Sequence, residues 1–282
     1  MSISGGLYHA LLAGQTVGCS AIQLFSKSSN QWGAKPLDPS DIAQFKKTRE
    51  ETGIWPAMIH AAYLINLCTP KPDGWQKAVD ALYLEMERAE ALSVPYLVLH
   101  PGAHVGSGEE AGIARAAEAL NAVHQRSAGF QLKILIELTA GQGSCIGHRF
   151  EHVGKIFDQT HASDRMGVCL DTAHVFAAGY DMRTKEGYEE TMTLFDQQIG
   201  LKRLLAFHLN DCKKDLGCHV DRHEHIGQGK MGLGPFSHLM NDPRFIGLPM
   251  ILETPKEENL EEDRMNLAAL RGLICERTVS CP

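Results

Sequence analysis

Apolar and polar positions alternate along the chain in two distinct rhythms. Short runs rich in β-branched and aliphatic residues recur as "AIQLF" (21–25), "AMIH" (57–60), "YLVLH" (96–100), "KILIEL" (133–138), "GVCLD" (167–171), "LLAFHL" (204–209) and "PMILE" (249–253). Runs of this length and composition are the pattern of parallel strands buried on both faces. Between them lie segments of helical period, such as "GWQKAVDALYLEMERAEAL" (74–92) and "GIARAAEALNAVHQRSA" (112–128). Strand then helix, repeated evenly with no linker or low-complexity tract, predicts an α/β chain folded as a single (β/α)8 TIM barrel domain over 1–282.

The strand count falls one short. Seven runs are visible, and Ser4, Gly5 and Gly6 already have the character of a loop leading into a helix. Either the first strand is a stub around Met1 to Ile3, or the residues that would form it are missing from the chain. A barrel lacking one strand carries two unpaired edges.

Composition narrows the setting. No apolar run approaches the roughly 18 to 20 residues of a membrane span, and the N-terminus lacks the features of an export signal. The expected location is cytoplasmic, nucleoid-associated in a bacterium. Eight cysteines without a CxxC pair read as reduced thiols filling the core. A formal net charge of -7 argues against a nucleic-acid partner. Bound divalent cations would remove that objection, because the field a phosphate meets is local.

The chemistry is concentrated at the strand ends. Six of the seven runs finish on His60, His100, Glu137, Asp171, His208 and Glu253, and in a (β/α)8 barrel these ends converge on one mouth. Each alone reads as a satisfied buried polar group. Six together need a common purpose, because ionisable groups are costly to bury without partners or metals. His174 follows Asp171 at D-x-x-H spacing, and Asp221 and His223 stand two apart in "VDRHEHIGQG", each pair able to share a face. Five imidazoles and four carboxylates without a thiolate suit zinc, and nine ligands serve about three ions. Several ions at one mouth activate water and offset phosphoryl charge, which predicts phosphodiester hydrolysis. No GxSxG, Walker loop or Cys/His motif offers a competing nucleophile, and "GQGSCIG" (141–147) reads as a flexible loop.

Seven stretches stand in order along the chain: "IHAAYLINL" (59–67), "LHPGAHVG" (99–106), "IELTAGQGS" (136–144), "GVCLDTAHVFAAGYD" (167–181), "FHLNDCK" (207–213), "VDRHEHIGQG" (220–229) and "ILETP" (251–255). Taken together they resemble the endonuclease IV family of zinc-dependent apurinic/apyrimidinic endonucleases. The resemblance implies three zinc ions, with manganese able to replace some. One would be held by His60, His100 and Glu137, and a second by Glu137, Asp171, His208 and Glu253. The third would take His174, Asp221 and His223, and Glu137 and Glu253 would also act in catalysis. The implied reaction cuts duplex DNA 5′ to an abasic site, leaving a 3′ hydroxyl and a 5′ deoxyribose phosphate, and also trims blocked 3′ ends. The implied partner is double-stranded DNA containing abasic sites, met by a monomer.

The chain departs from the family pattern in places. Leu138 stands where members commonly have Asn, removing a side-chain hydrogen bond near the metals. Ser28, Ser29 and Asn30 replace the Arg that some members insert into the base stack, which shifts DNA contact toward Asn30, Gln31, Tyr63 and Leu64. The family's first strand ends in a Gly-Ala-His-like stretch just before the position of Met1. Lys27, Lys35, Lys213, Lys214, Arg222 and Lys230 are further candidates for phosphate contact, and Trp32 for stacking or packing. A rival from another class is a single-metal sugar isomerase or epimerase using Glu137, Asp171, His208 and Glu253. That reading leaves the other five candidate ligands idle. A second rival is a DNA-damage binder without activity.

Overall fold

Alternation within each strand divides the interior into two layers. The strands are β1 (Ile22–Leu24), β2 (Ala57–His60), β3 (Tyr96–Leu99), β4 (Lys133–Glu137), β5 (Met166–Asp171), β6 (Leu204–Leu209), β7 (Asp211–Cys212), β8 (His223–Glu224) and β9 (Met250–Leu252). Residues such as Ile59, Leu97, Ile136, Leu170 and Phe207 pack outward under the helices. Met58, Val98, Leu135, Cys169, Ala206 and Ile251 form a separate apolar plug inside the barrel. Because side chains two apart share a face, the next inward positions are His60, His100, Glu137, Asp171, His208 and Glu253. An apolar floor thus lies directly below the polar mouth.

The structure, a computed structural model, describes residues 1–257 and 259–275; the last residues of the expected 1–282 domain lie outside that range. Seven parallel strands run in the order β1-β2-β3-β4-β5-β6-β9, with β7 and β8 forming a separate antiparallel pair. Helices α1 (Tyr8–Thr16), α2 (Pro39–Thr52), α3 (Pro72–Ala91), α4 (Glu109–Arg126), α5 (Phe150–Gln159), α6 (Thr172–Ala177), α7 (Lys185–Gln198), α8 (Gly234–Met240) and α9 (Glu261–Gly272) follow the strands or sit in their connections. This is a TIM barrel reduced by one strand. The N-terminal residues do not form the stub strand; the Met1 ammonium instead donates to the Gln23 carbonyl at 2.5 Å. The edges of β1 and β9 remain unpaired with each other, and a cavity of about 670 Å³ lies against both, lined by Ile22, Leu24, Ile251 and Leu252 among others. No disulfide is present among the described residues.

Local signals account for the helix boundaries that place the mouth loops. Asp38 caps α2 through its side chain to the Ser40 N–H, with Pro39 at the first helical position, and Gly53 ends the helix at φ 68°. Asp171 has two duties, ending β5 and accepting from the His174 N–H as the cap of α6. That cap holds His174 beside the strand end from which Asp171 projects.

Candidate metal centre

Glu137 is the hub. Its side chain is wholly buried, and its two oxygens face different partners. Oε2 lies 3.0 Å from His60 Nε2 and 3.1 Å from His100 Nε2. Oε1 lies 3.1 Å from His208 Nδ1 and 3.2 Å from His174 Nδ1. His208 Nδ1 is also 3.2 Å from Glu253 Oε2 and 3.9 Å from Asp171 Oδ2. Two sets of donor atoms therefore meet at Glu137: His60, His100 and Glu137, and Glu137, Asp171, His208 and Glu253, each within 4.8 Å of one another.

A further set stands beside them. His174 Nε2 is 3.3 Å from Asp221 Oδ2, His223 Nε2 is 3.3 Å from Asp221 Oδ1, and the two imidazole nitrogens are 3.4 Å apart. A tetrahedral zinc with bonds of about 2.0–2.1 Å spaces its ligands by about 3.3 Å. The pairwise spacings match that value, with Asp221 meeting His174 through Oδ2 and His223 through Oδ1, and the donor atoms of Asp171, His174 and His223 also lie within 4.8 Å of one another. Asp171, with Oδ2 3.7 Å from His223 Nε2, links this set to the other two. All nine ligand candidates of the sequence analysis lie at this one mouth.

The imidazoles are aimed by their other nitrogens. His60 Nδ1 faces the Ala61 carbonyl at 2.7 Å, His174 Nδ1 the Leu138 carbonyl at 2.9 Å and His223 Nδ1 the Glu253 carbonyl at 3.1 Å. A carbonyl accepts only, so each Nδ1 carries a proton and leaves the Nε2 lone pair for a ligand in the neutral ring. The Leu138 carbonyl does this for His174 whatever side chain stands there. The Leu138 side chain itself is buried in the outer apolar layer.

Electrostatics in this state are those of imidazolium–carboxylate pairing. Burial alone would raise the Glu137 carboxyl, but the charges of His208 and His100 and the hydrogen bonds of His100 and His174 hold it well below the usual range. Glu253 behaves alike, reaching about 2, with burial opposed chiefly by His208. Burial would lower His174, yet the charge of Asp171 and the bonds to Asp221 and Glu137 raise it well above an ordinary imidazole. Buried carboxylates here require positive charge from protons or from cations.

Three supporting residues escaped the sequence reading. Gln23, inward on β1, contacts both His208 and Glu253. Asn210 donates to Asp171 Oδ2 at 2.6 Å and accepts from the Glu253 N–H at 2.9 Å. Asp211, buried on β7, accepts from the N–H groups of Cys212, Gly229 and Met231 at 2.7, 2.9 and 3.0 Å, tying down the loop that carries Asp221 and His223. A Cβ on Gly229 would meet Asp211 Oδ1 at 2.4 Å, so this glycine serves close approach. The sequence signal was a polar residue alternating with apolar neighbours inside a strand, visible at Gln23 and uninterpretable without the fold.

Tyr63 is exposed at the rim, its ring 5.1 Å from that of His60 and 5.9 Å from that of His100. Leu64 is half-buried beside it, while Asn30, Gln31 and Arg222 are exposed. Lys27 cannot reach a phosphate: it is buried and paired with Glu85 at 2.9 Å. Trp32 packs against the core with the Lys77 ammonium 4.3 Å from its ring. The 141–147 loop is pinned, with Ile146 donating to the Gly102 carbonyl at 2.8 Å and Thr139 to the Gly147 carbonyl at 3.2 Å. In "VDRHEHIGQG", Glu224 Oε1 accepts from the His225 N–H and His225 Nδ1 meets Asn266 Nδ2, so neither joins the donor sets. Glu109, His148 and His152 also cluster, but Arg149 pairs with Glu109 and lies 2.9 Å from His152 Nε2, occupying the place of a cation.

A reduced parallel barrel with a carboxylate and imidazole mouth defines the class: residues 11–271 match the family described as "Xylose isomerase-like TIM barrel". Within that class the chain is 50% identical over 274 residues to "Probable endonuclease 4" of Chloroflexus aurantiacus, covering 97% of this chain and 96% of that protein. The same-named protein of Geobacter sulfurreducens is 48% identical over 287 residues, covering 100% and 97%. The crystal structure of endonuclease IV from Thermus thermophilus superposes with a TM-score of 0.84 at 36% identity, covering 97% and 96%. The chain belongs to the endonuclease IV family. A D-tagatose 3-epimerase-like protein shares the fold at 17% identity and a TM-score of 0.73 over 96% of each chain, a likeness of architecture alone.

Proposed function

We propose that this protein hydrolyses the backbone of duplex DNA on the 5′ side of abasic sites, using three zinc ions held by the nine mouth residues. The observation that carries the reading is the sharing of Glu137 between two donor sets, with a third set of zinc-compatible spacing alongside. Membership of the endonuclease IV family supports it. In the reaction, water oxygen adds to phosphorus and the P–O3′ bond breaks, leaving a 3′ hydroxyl, which takes up a proton, and a 5′ deoxyribose phosphate. The same chemistry trims blocked 3′ ends.

His60, His100 and Glu137 would hold one ion, Glu137, Asp171, His208 and Glu253 a second, and His174, Asp221 and His223 a third. When bound, such ions lower the pKa of water toward neutrality and offset phosphoryl charge, and manganese can replace some of them. The chain's own residues do the rest. Glu137 and Glu253 present carboxylates on a water-excluding apolar floor, which strengthens every charge interaction above it. Three divalent ions against four carboxylates leave the mouth positive, which removes the objection raised by the net charge. Tyr63 and Leu64 at the rim, with Asn30 and Gln31, contact the damaged duplex, and Arg222 pairs with a phosphate.

A single-metal isomerase would use only Glu137, Asp171, His208 and Glu253, leaving the tripod of His174, Asp221 and His223 without a purpose. The protein acts as a monomer in the cytoplasm, on the nucleoid in a bacterium, and no described helix is long and apolar enough to cross a membrane. The deciding experiment is incubation of zinc-loaded protein with a duplex carrying one abasic site, with and without chelator. Cleavage 5′ to the site that chelator abolishes is expected; an intact duplex overturns the reading.

A further inference from the structure

Gln23 sits on β1 between outward Ile22 and Leu24, and its side chain is buried. Its Nε2 lies 2.6 Å from Glu253 Oε1, and its Oε1 lies 2.9 Å from His208 Nε2. The partners settle the amide's orientation. A carboxylate only accepts, so the amide nitrogen faces Glu253 and the amide oxygen faces His208. That oxygen also only accepts, so His208 Nε2 must carry a proton. In the neutral ring the lone pair is then on Nδ1, the atom that stands 3.1 Å from Glu137 and 3.2 Å from Glu253 Oε2. The same amide, by holding Glu253 Oε1, leaves Oε2 turned toward the donor set.

His208 differs here from its neighbours. His60, His174 and His223 are each aimed by a backbone carbonyl, which no substitution removes. His208 is aimed by a side chain, across the place where β1 and β9 fail to pair. We propose that Gln23 is a positioning residue that presents His208 Nδ1 and Glu253 Oε2 to the ion of the Glu137–Asp171–His208–Glu253 set, and so governs how tightly that ion is kept. The inference rests on the zinc assignment above.

The test follows zinc release from loaded wild type, Gln23→Leu and Gln23→Glu into a chromophoric chelator, alongside melting of the chelator-stripped proteins. Gln23→Leu removes both contacts; Gln23→Glu keeps an acceptor for His208 but sets a like charge against Glu253. Loss of a hydrogen bond that orients a ligand weakens metal binding by about ten- to a hundred-fold. Both variants are therefore expected to release one equivalent about ten-fold faster or more, with the remaining zinc leaving at the wild-type rate and stripped melting temperatures matching wild type. Release of all zinc at the wild-type rate overturns the inference, as does a lowered stripped melting temperature with unchanged release. If wild type retains zinc and cleaves the abasic duplex while the variants behave as wild type, this inference alone fails. If wild type retains no zinc, the assignment beneath it fails too.

Discussion

Lys27 and Glu85 form an ion pair of 2.9 Å with side chains only 4% and 1% exposed. Glu85 on α3 also accepts from Ser26 Oγ at 2.7 Å and from the Ala62 N–H at 3.3 Å, while Lys27 donates to the Gln31 carbonyl at 2.5 Å. Arg88, one turn further along α3, holds Ser26 and the Lys35 carbonyl. One buried carboxylate thus ties the loop after β1 to the loop after β2, the two that carry Asn30, Gln31, Tyr63 and Leu64.

Removing one partner of a buried pair leaves an uncompensated charge, at a cost of about 3–5 kcal/mol. Glu85→Ala should lower the unfolding free energy by about that amount in urea titration, and a Lys27→Met, Glu85→Met double variant should recover part of it. Equal losses in single and double variants would show that the pair's charges are not what matters.

A second prediction concerns acid stability away from the mouth. His124 on α4 is buried with neither ring nitrogen partnered, and burial, reinforced by the Arg165 charge, lowers its pKa to about 4. Above the unfolded value of about 6.5 both states are neutral and the residue is indifferent to pH. Between there and about 4 only the unfolded chain takes a proton, so stability falls as pH falls, by about 2 kcal/mol from pH 7 to pH 5. The difference between wild type and His124→Phe, measured by denaturation at both values, isolates this contribution from metal loss. A pH-independent difference would sink the account.

Leu138→Asn would install the residue that the family resemblance leads us to expect at this position. Because the backbone carbonyl already orients His174 and the side chain is buried among apolar groups, the amide gains no metal-orienting role. It should destabilise the protein by at least about 2 kcal/mol without slowing zinc release. Slower zinc release in the variant would restore the side chain's importance.

Much of this architecture was legible because parallel strands announce themselves. "AMIH" and "LLAFHL" coincide with β2 and β6, and the other five runs differ from their strands by one residue at one or both ends. The shared mouth follows from barrel topology, so six candidate ligands could be gathered from positions far apart in the chain. What stayed hidden was partnership. Lys27 reads as an exposed loop cation until Glu85 on a distant helix is brought beside it. Gln23, Asn210 and Asp211 act chiefly through atoms 20 to 230 residues away in sequence. The two-residue strands β7 and β8 are too short to have a periodicity, although their pairing sets His223 against Cys212.

Arg222 and His223 are adjacent yet face opposite tasks, and that contrast makes the sharpest test of the mouth. Arg222 is exposed, its Nη1 donating to the Asp221 carbonyl at 2.6 Å, whereas His223 Nε2 points into the tripod with His174 and Asp221. A cation pairing with one phosphate adds about one unit to the salt dependence of binding and does not touch the reacting atoms. Arg222→Ala should therefore weaken duplex binding several-fold, reduce the slope of log Kd against log salt by about one, and leave kcat nearly unchanged. His223→Ala removes a ligand and should do the reverse, lowering kcat by at least about 100-fold while Kd for the abasic duplex changes little. Fluorescence anisotropy across a salt series and single-turnover cleavage separate the two quantities. Equal losses of binding and turnover in His223→Ala would contradict its place as a ligand, because they would mean that the loop acts on DNA as a unit.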